Sequence, residues 1–190
     1  MARIAKTLVV GAAFLLLLTA CDGADSRADS PSSDSRRVPL SDLESISIAD
    51  DPLADSGGAV RILSEVKYER GRLIAYVKSE SCGIVATSTH DAQEEKIVLS
   101  SEWPRGDEGS NTLPAGPYNS ASGAGGTNTW ASLLCGKNAM VIEYSAGQAG
   151  GPGQSRGQTA VGQVPGQPKT SRIIVAAPDT RDEIQRQPAG

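Results

Sequence analysis

The clearest pattern in the chain lies between residues 60 and 78. Val60, Ile62, Ser64, Val66 and Tyr68 alternate with Arg61, Leu63, Glu65 and Lys67, the period of two that marks a half-buried strand. Glu69-Arg70-Gly71-Arg72 supplies a turn, after which Leu73, Ala75 and Val77 alternate with Ile74, Tyr76 and Lys78. Together the two runs predict a β-hairpin. Residues 82–87 and the apolar triplet Ile97-Val98-Leu99 predict two more strands, separated by a polar loop over 90–95. Residues 130–135 and 139–144 predict a second hairpin around Gly136-Lys137-Asn138, whose composition suits a tight connection.

Between and around these runs the pattern is weaker. Ser41-Asp42-Leu43-Glu44 fits a capping box at the start of a short helix, but Ile46 and Ile48 alternate with serines, and a short edge strand is the preferred reading. Residues 104–128 carry Gly, Pro, Asn and Ser with few aliphatics and predict a long surface loop. In residues 147–169, Gly, Gln and Pro fill 15 of 23 positions, a bias that predicts a flexible tail. Ile173-Ile174-Val175 predicts one further strand at 172–177 that returns to the sheet, and a frayed helical turn is expected after Asp179. Six to seven short strands with turn signals between them argue an all-β fold, a small antiparallel β-sandwich or barrel.

The amino terminus follows a different logic. Arg3 and Lys6 precede an apolar run from Leu8 to Leu18, and Thr19-Ala20 then lead into Cys21. Charged, apolar, small is the order of a secretion signal, and the run is about half the roughly 20 apolar residues a spanning helix needs. The ending Leu18-Thr19-Ala20-Cys21 resembles the lipobox of bacterial lipoproteins. That resemblance implies cleavage before Cys21 and a diacylglycerol on its thiol. Each buried methylene contributes about 0.8 kcal/mol, and stable anchoring takes two chains, which a diacylglycerol supplies. The expected organisation is a signal peptide at 1–20, a stalk at 21–38, a β-domain at 39–146 and a low-complexity tail at 147–190. The stalk is polar, too poor in apolar area to offset its ordering entropy, with an expected reach of about 20–25 Å.

Composition narrows what the exported part does. Removing residues 1–20 takes away two of 18 cations and none of 22 acids, leaving a net charge of about −6. Such a surface lacks the basic footprint of a nucleic-acid binder and argues against a polybasic attachment to anionic lipid. With Cys21 assigned to lipid, Cys82 and Cys135 remain as an even pair in an oxidising compartment, and they are expected to form a disulfide.

Candidate chemistry is sparse. Gly153-Gln154-Ser155-Arg156-Gly157 matches G-x-S-x-G, but a nucleophile elbow needs a strand and a helix to hold its serine on a strained turn, and neither flank predicts one. His90 is the only histidine, so an envelope hydrolase, the alternative function, would use it with a loop carboxylate. No catalytic residue, metal site or cofactor is expected. Trp103, Tyr118 and Trp130 flank or occupy the Gly-rich loop and are the candidate binding residues, because aromatic faces anchor interfaces. The functional expectation is a non-enzymatic binding or scaffolding module of the cell envelope. It would be held on the outer face of the membrane through Cys21, with an envelope protein or glycan as partner.

Overall fold

The computed structural model describes residues 37–90, 93–106, 113–126, 129–147 and 151–187. Cys21 and the signal and stalk segments before Arg37 lie outside the described residues. Among the described residues ten strands and one α-helix follow one another: β1 Val60–Tyr68, β2 Gly71–Lys78, β3 Ser81–His90, β4 Gln93–Glu102, β5 Asn119–Gly125, β6 Thr129–Cys135, β7 Ala139–Ala146, β8 Pro152–Gly157, β9 Thr159–Val164, β10 Gln167–Ala176 and α1 Pro178–Arg186. They form two antiparallel five-stranded sheets, ordered β4-β3-β2-β1-β8 and β5-β6-β7-β10-β9. The expected all-β sandwich is therefore the fold.

Its main core lies between the sheets, where Leu63, Val66, Leu73, Ile84, Leu133, Ile142 and Ile173 pack together. Both outer faces are covered as well. On the first sheet, Ile46, Ile48 and Leu53 of the segment before β1 lie over Ile62, Ile74, Tyr76 and Val85. On the second, Leu113 and Ala115 join Ile184 of α1 over Val141 and Ile174. Three layers of apolar contact explain how a chain with so few aromatics buries enough area to fold.

The predicted hairpin is present, but its faces are not the ones alternation gives. A bulge between Ile62 and Ser64 inserts an extra residue into β1. Ile62 consequently packs on the outer face, while Leu63 joins Val66 and Tyr68 in the inter-sheet core. One unpaired residue in an antiparallel strand switches every later side chain to the other face.

Several expectations change. His90 and residues 93–95 of the expected loop lie in strands: β3 and β4 pair as far as His90 and Gln93. The predicted long loop contains β5, a strand of Asn, Ser, Ala and Gly. A Cβ on Gly123 would stand 2.9 Å from Leu99, and one on Gly125 2.9 Å from Ile97, so absent side chains let this edge close against β4. No strand forms at 46–48. Leu40–Asp42 is a short 3-10 helix, and the following chain donates one ladder-like bond, Ile46 N to Ile62 O at 2.8 Å.

The largest change concerns the expected tail. Residues 152–157 pair with β1 and residues 159–164 pair with β10. β8 is exposed along nearly all its length and is held by main-chain pairing, which a Gly/Gln/Ser segment can supply without burying side chains. At Gly157 the chain leaves one sheet for the other with φ +89, and a Cβ there would meet the Leu63 carbonyl oxygen at 2.1 Å. Only glycine fits such a corner. β10, longer than the predicted 172–177 strand, lies between β7 and β9, and the expected helical turn is the nine-residue α1.

Gly83 lies opposite Tyr76 in the β2–β3 pairing, and the Tyr76 ring occupies the space its side chain would take, with Cζ 2.1 Å from an added Cβ. Gly83→Val is expected to expel the buried ring and destabilise the domain by about 1–3 kcal/mol. A denaturant midpoint equal to that of the parent protein would contradict this packing.

Candidate functional site

The three candidate aromatics do not converge. Tyr118 is buried beneath the second sheet's covering layer, and its hydroxyl donates to the Pro114 carbonyl oxygen. Burial pushes its phenol well above the usual range, with Arg37 opposing and Glu183 adding to the shift. Trp130 is half-buried at the opposite end of β6 from Cys135. Because Ala131, Leu133 and Cys135 face the inter-sheet core, alternation places Trp130 on the outer face. Trp103 borders a cavity.

That cavity, of about 530 Å³, opens at the end of the sandwich where the disulfide lies. The β2–β3 turn forms one wall: Ser79 has φ +54, and the Ser81 hydroxyl donates to the Lys78 carbonyl oxygen at 2.7 Å. The Trp103 amide donates to Glu80 O at 2.8 Å, which ties the end of β4 to that turn. The indole packs against the main core, and its Nε1 has no partner among the described residues. Lys137, from the β6–β7 turn, forms the far side, and its carbonyl oxygen accepts from Leu40 N at 2.8 Å. Glu102 and Arg105 stand 3.6 Å apart with their side chains 76 % and 89 % exposed. Arg105 and Lys137 thus stand with Glu80 and Glu102 around a tryptophan, while the Lys78 ammonium, from the same wall, donates to the Ser56 carbonyl oxygen at 2.9 Å.

Cys82 and Cys135 form the expected disulfide, joining the first strand residues of β3 to the last of β6 across the two sheets. Both are fully buried, so the bond braces the floor beside the cavity and takes no part in chemistry.

A second cavity, of about 380 Å³, was not visible in the sequence. Its floor is Glu65, only 3 % exposed, with Arg72 at 3.8 Å and Arg156 at 3.9 Å. The same two guanidiniums hold the covering segment: Arg72 donates to the carbonyls of Ala49 and Asp50 and Arg156 to that of Ser47, while Arg61 and Lys78 add bonds to Leu43 and Ser56. Alternation puts Glu65 on a polar face. Its burial comes from the segment laid over that face, a tertiary event with no local signal. A buried acid between two guanidiniums that grip main chain is a clamp for the segment.

At the opposite end from the disulfide, Tyr68 and Tyr144 meet edge-on between the sheets, centroids 5.1 Å apart. Burial pushes both phenols up to about 12, with Ser171 and Ser88 respectively opposing the shift. The Thr129 hydroxyl donates to Glu95 Oε2 at 2.7 Å nearby, which gives Glu95 a structural partner. His90 ends β3 opposite Gln93, and its side chain lies outside the described residues, as do Asp107 and Glu108. Ser155 and Arg156 of the G-x-S-x-G match sit in β8, an exposed edge strand followed by β9, without the helix an elbow requires. Among the described residues no group of three or more His, Cys, Asp or Glu is placed to hold a metal ion. Nor is any helix among them long and apolar enough to cross a membrane.

No family model matches the chain, and neither curated proteins nor solved structures returned a match to it.

Proposed function

We propose that this protein is an extracytoplasmic lipoprotein, a binding and scaffolding module of the cell envelope that is held on the outer membrane face through Cys21 and takes its ligand at the Trp103 cavity. The observation that carries the export half is the buried Cys82–Cys135 disulfide, a bond that persists in oxidising compartments. It agrees with the lipobox-like Leu18-Thr19-Ala20-Cys21. Supporting the binding half is the open cavity in which Trp103 and Pro104 stand among charges of both signs, groups that can orient a polar ligand against one aromatic face. The module does no chemistry of its own in this reading; its charges orient a ligand.

Intact mass of the protein purified from membranes tests the anchor. The expected species begins at Cys21 and carries a diacylglycerol, and Cys21→Ala should prevent both cleavage and lipid addition. An unmodified Cys21 in the exported protein would remove the lipoprotein reading.

A further inference from the structure

We infer that the cavity floored by Glu65 is a second binding site, and that its ligand is one small polyhydroxy acid, whose hydroxyls donate to the Glu65 carboxylate while its acid group lies against Lys67 and Arg156. The site is independent of the Trp103 cavity and of the anchor at Cys21.

The buried carboxylate is the first argument. Glu65 lines the cavity and is only 3 % exposed, and a carboxylate withdrawn from water calls for donors to its oxygens. The two guanidiniums beside it stand at 3.8 and 3.9 Å, outside the roughly 2.7–3.2 Å of a hydrogen bond. They balance its charge without supplying the bonds. Arg72 is held where it is, because its two terminal nitrogens donate to the Ala49 and Asp50 carbonyls. A donor to Glu65 therefore comes from the cavity side. An ammonium there would face both guanidiniums at close range, so the donor is neutral. Hydroxyls fit, since their bonds to a carboxylate are short, about 2.5–2.7 Å, and two adjacent hydroxyls serve both oxygens.

Charge on the rim is the second argument. Lys67 and Arg72 are direct partners in the β1–β2 pairing, and like charges placed opposite one another destabilise a sheet. An anion beside them relieves that repulsion. Lys67 is exposed, and the Arg156 side chain is 56 % exposed with a long bond of 3.5 Å to the Ser47 carbonyl oxygen, so both can turn to an acid group. Lys67, Arg72 and Arg156 against Asp50 and Glu65 leave the lining with one net positive charge, the complement of a single carboxylate. The volume of about 380 Å³ lies near the lower end of small-molecule pockets, about 300–1,000 Å³, which suits one sugar-sized molecule and not a polymer segment.

Calorimetric titration of the intact protein with D-glucuronate tests the site. The comparisons are D-glucose, which has the hydroxyls without the acid, and acetate, which has the acid without the hydroxyls. Glucuronate is expected to bind at least about tenfold more tightly than either, the effect of one charge-assisted hydrogen bond. Lys67→Ala, at an exposed position, should weaken glucuronate binding about tenfold with the far-UV spectrum unchanged, and Glu65→Gln should weaken it by a similar factor. Arg105→Glu, in the Trp103 cavity, should leave the affinity as it is. No heat with glucuronate, acetate bound as tightly, or full affinity in Glu65→Gln would overturn the hydroxy-acid site. Affinity lost in Arg105→Glu and kept in Lys67→Ala would move the ligand to the other cavity and overturn it as well. Binding confined to polygalacturonate, with the free acid inert, would overturn the assignment to a single small molecule.

Discussion

Replacing Cys82 and Cys135 together with alanine is expected to lower the stability of the folded domain by about 4 kcal/mol. The bond joins positions 53 residues apart, and closing a loop of that length in the unfolded chain accounts for this magnitude in the chain-entropy model. Its placement matters as much as the loop. Cys82 belongs to the sheet that contains the first hairpin and Cys135 to the other, both at 0 % exposure, so the bond ties the two layers at one end of the core. Equilibrium denaturation of the oxidised and the double-alanine proteins reads the difference directly, and equal midpoints would refute it. A companion measurement is thiol labelling of the denatured mature protein, which should find neither cysteine until reductant is added.

The second large effect is expected at high pH. Tyr68 and Tyr144 are pushed up to about 12 from an ordinary value near 10, with burial the main cause in each. An unfolded tyrosine therefore loses its proton near pH 10, whereas the folded one keeps it for about two further units. The stability held by the neutral, buried phenols is complete below pH 10. It falls as pH rises from 10 to 12, by roughly 2–3 kcal/mol per tyrosine at the top of that window. The two rings touch, so ionising one exposes the other, and Tyr76 and Tyr118 shift in the same direction. Tyrosinate absorbance should thus rise together with loss of β-sheet circular dichroism, in one cooperative step. Separate titration of four phenols on an intact fold would contradict the buried arrangement. Tyr144→Phe should move the alkaline midpoint upward, because the group that must ionise is gone.

What was legible in the chain follows from which contacts are local. Period-two alternation marked β1 and β2, and the Gly136-Lys137-Asn138 connection marked the β6–β7 hairpin, because each hairpin is specified by neighbours in sequence. Edge strands were hidden for the opposite reason. β5 and β8 are built of Gly, Ser, Ala and Gln and contribute main-chain pairing to a neighbour that already exists. Composition reports side-chain burial and says nothing about such pairing. The same limit hid Glu65, a charged residue on an apparently polar face that becomes buried only when residues 43–56 are laid across it.

Of the candidate site, the sequence offered Trp103 but grouped it with Tyr118 and Trp130, which the fold sends to a buried seat and to the far end of β6. It did not pair Trp103 with Lys78, Arg105 and Lys137, since those residues come from three separate turns that meet only where the sheets stack. By itself the sequence determined the all-β class, the two hairpins and the even cysteine pair. These depend on alternation, turn chemistry and counting, which are properties of short stretches. Tertiary structure alone decided that the Gly/Gln-rich segment completes both sheets, that a bulge turns Leu63 inward, and that the tryptophan cavity opens beside the point where the chain enters the domain. Each of those outcomes depends on which surfaces meet, and surfaces distant in sequence meet only after the strands have paired.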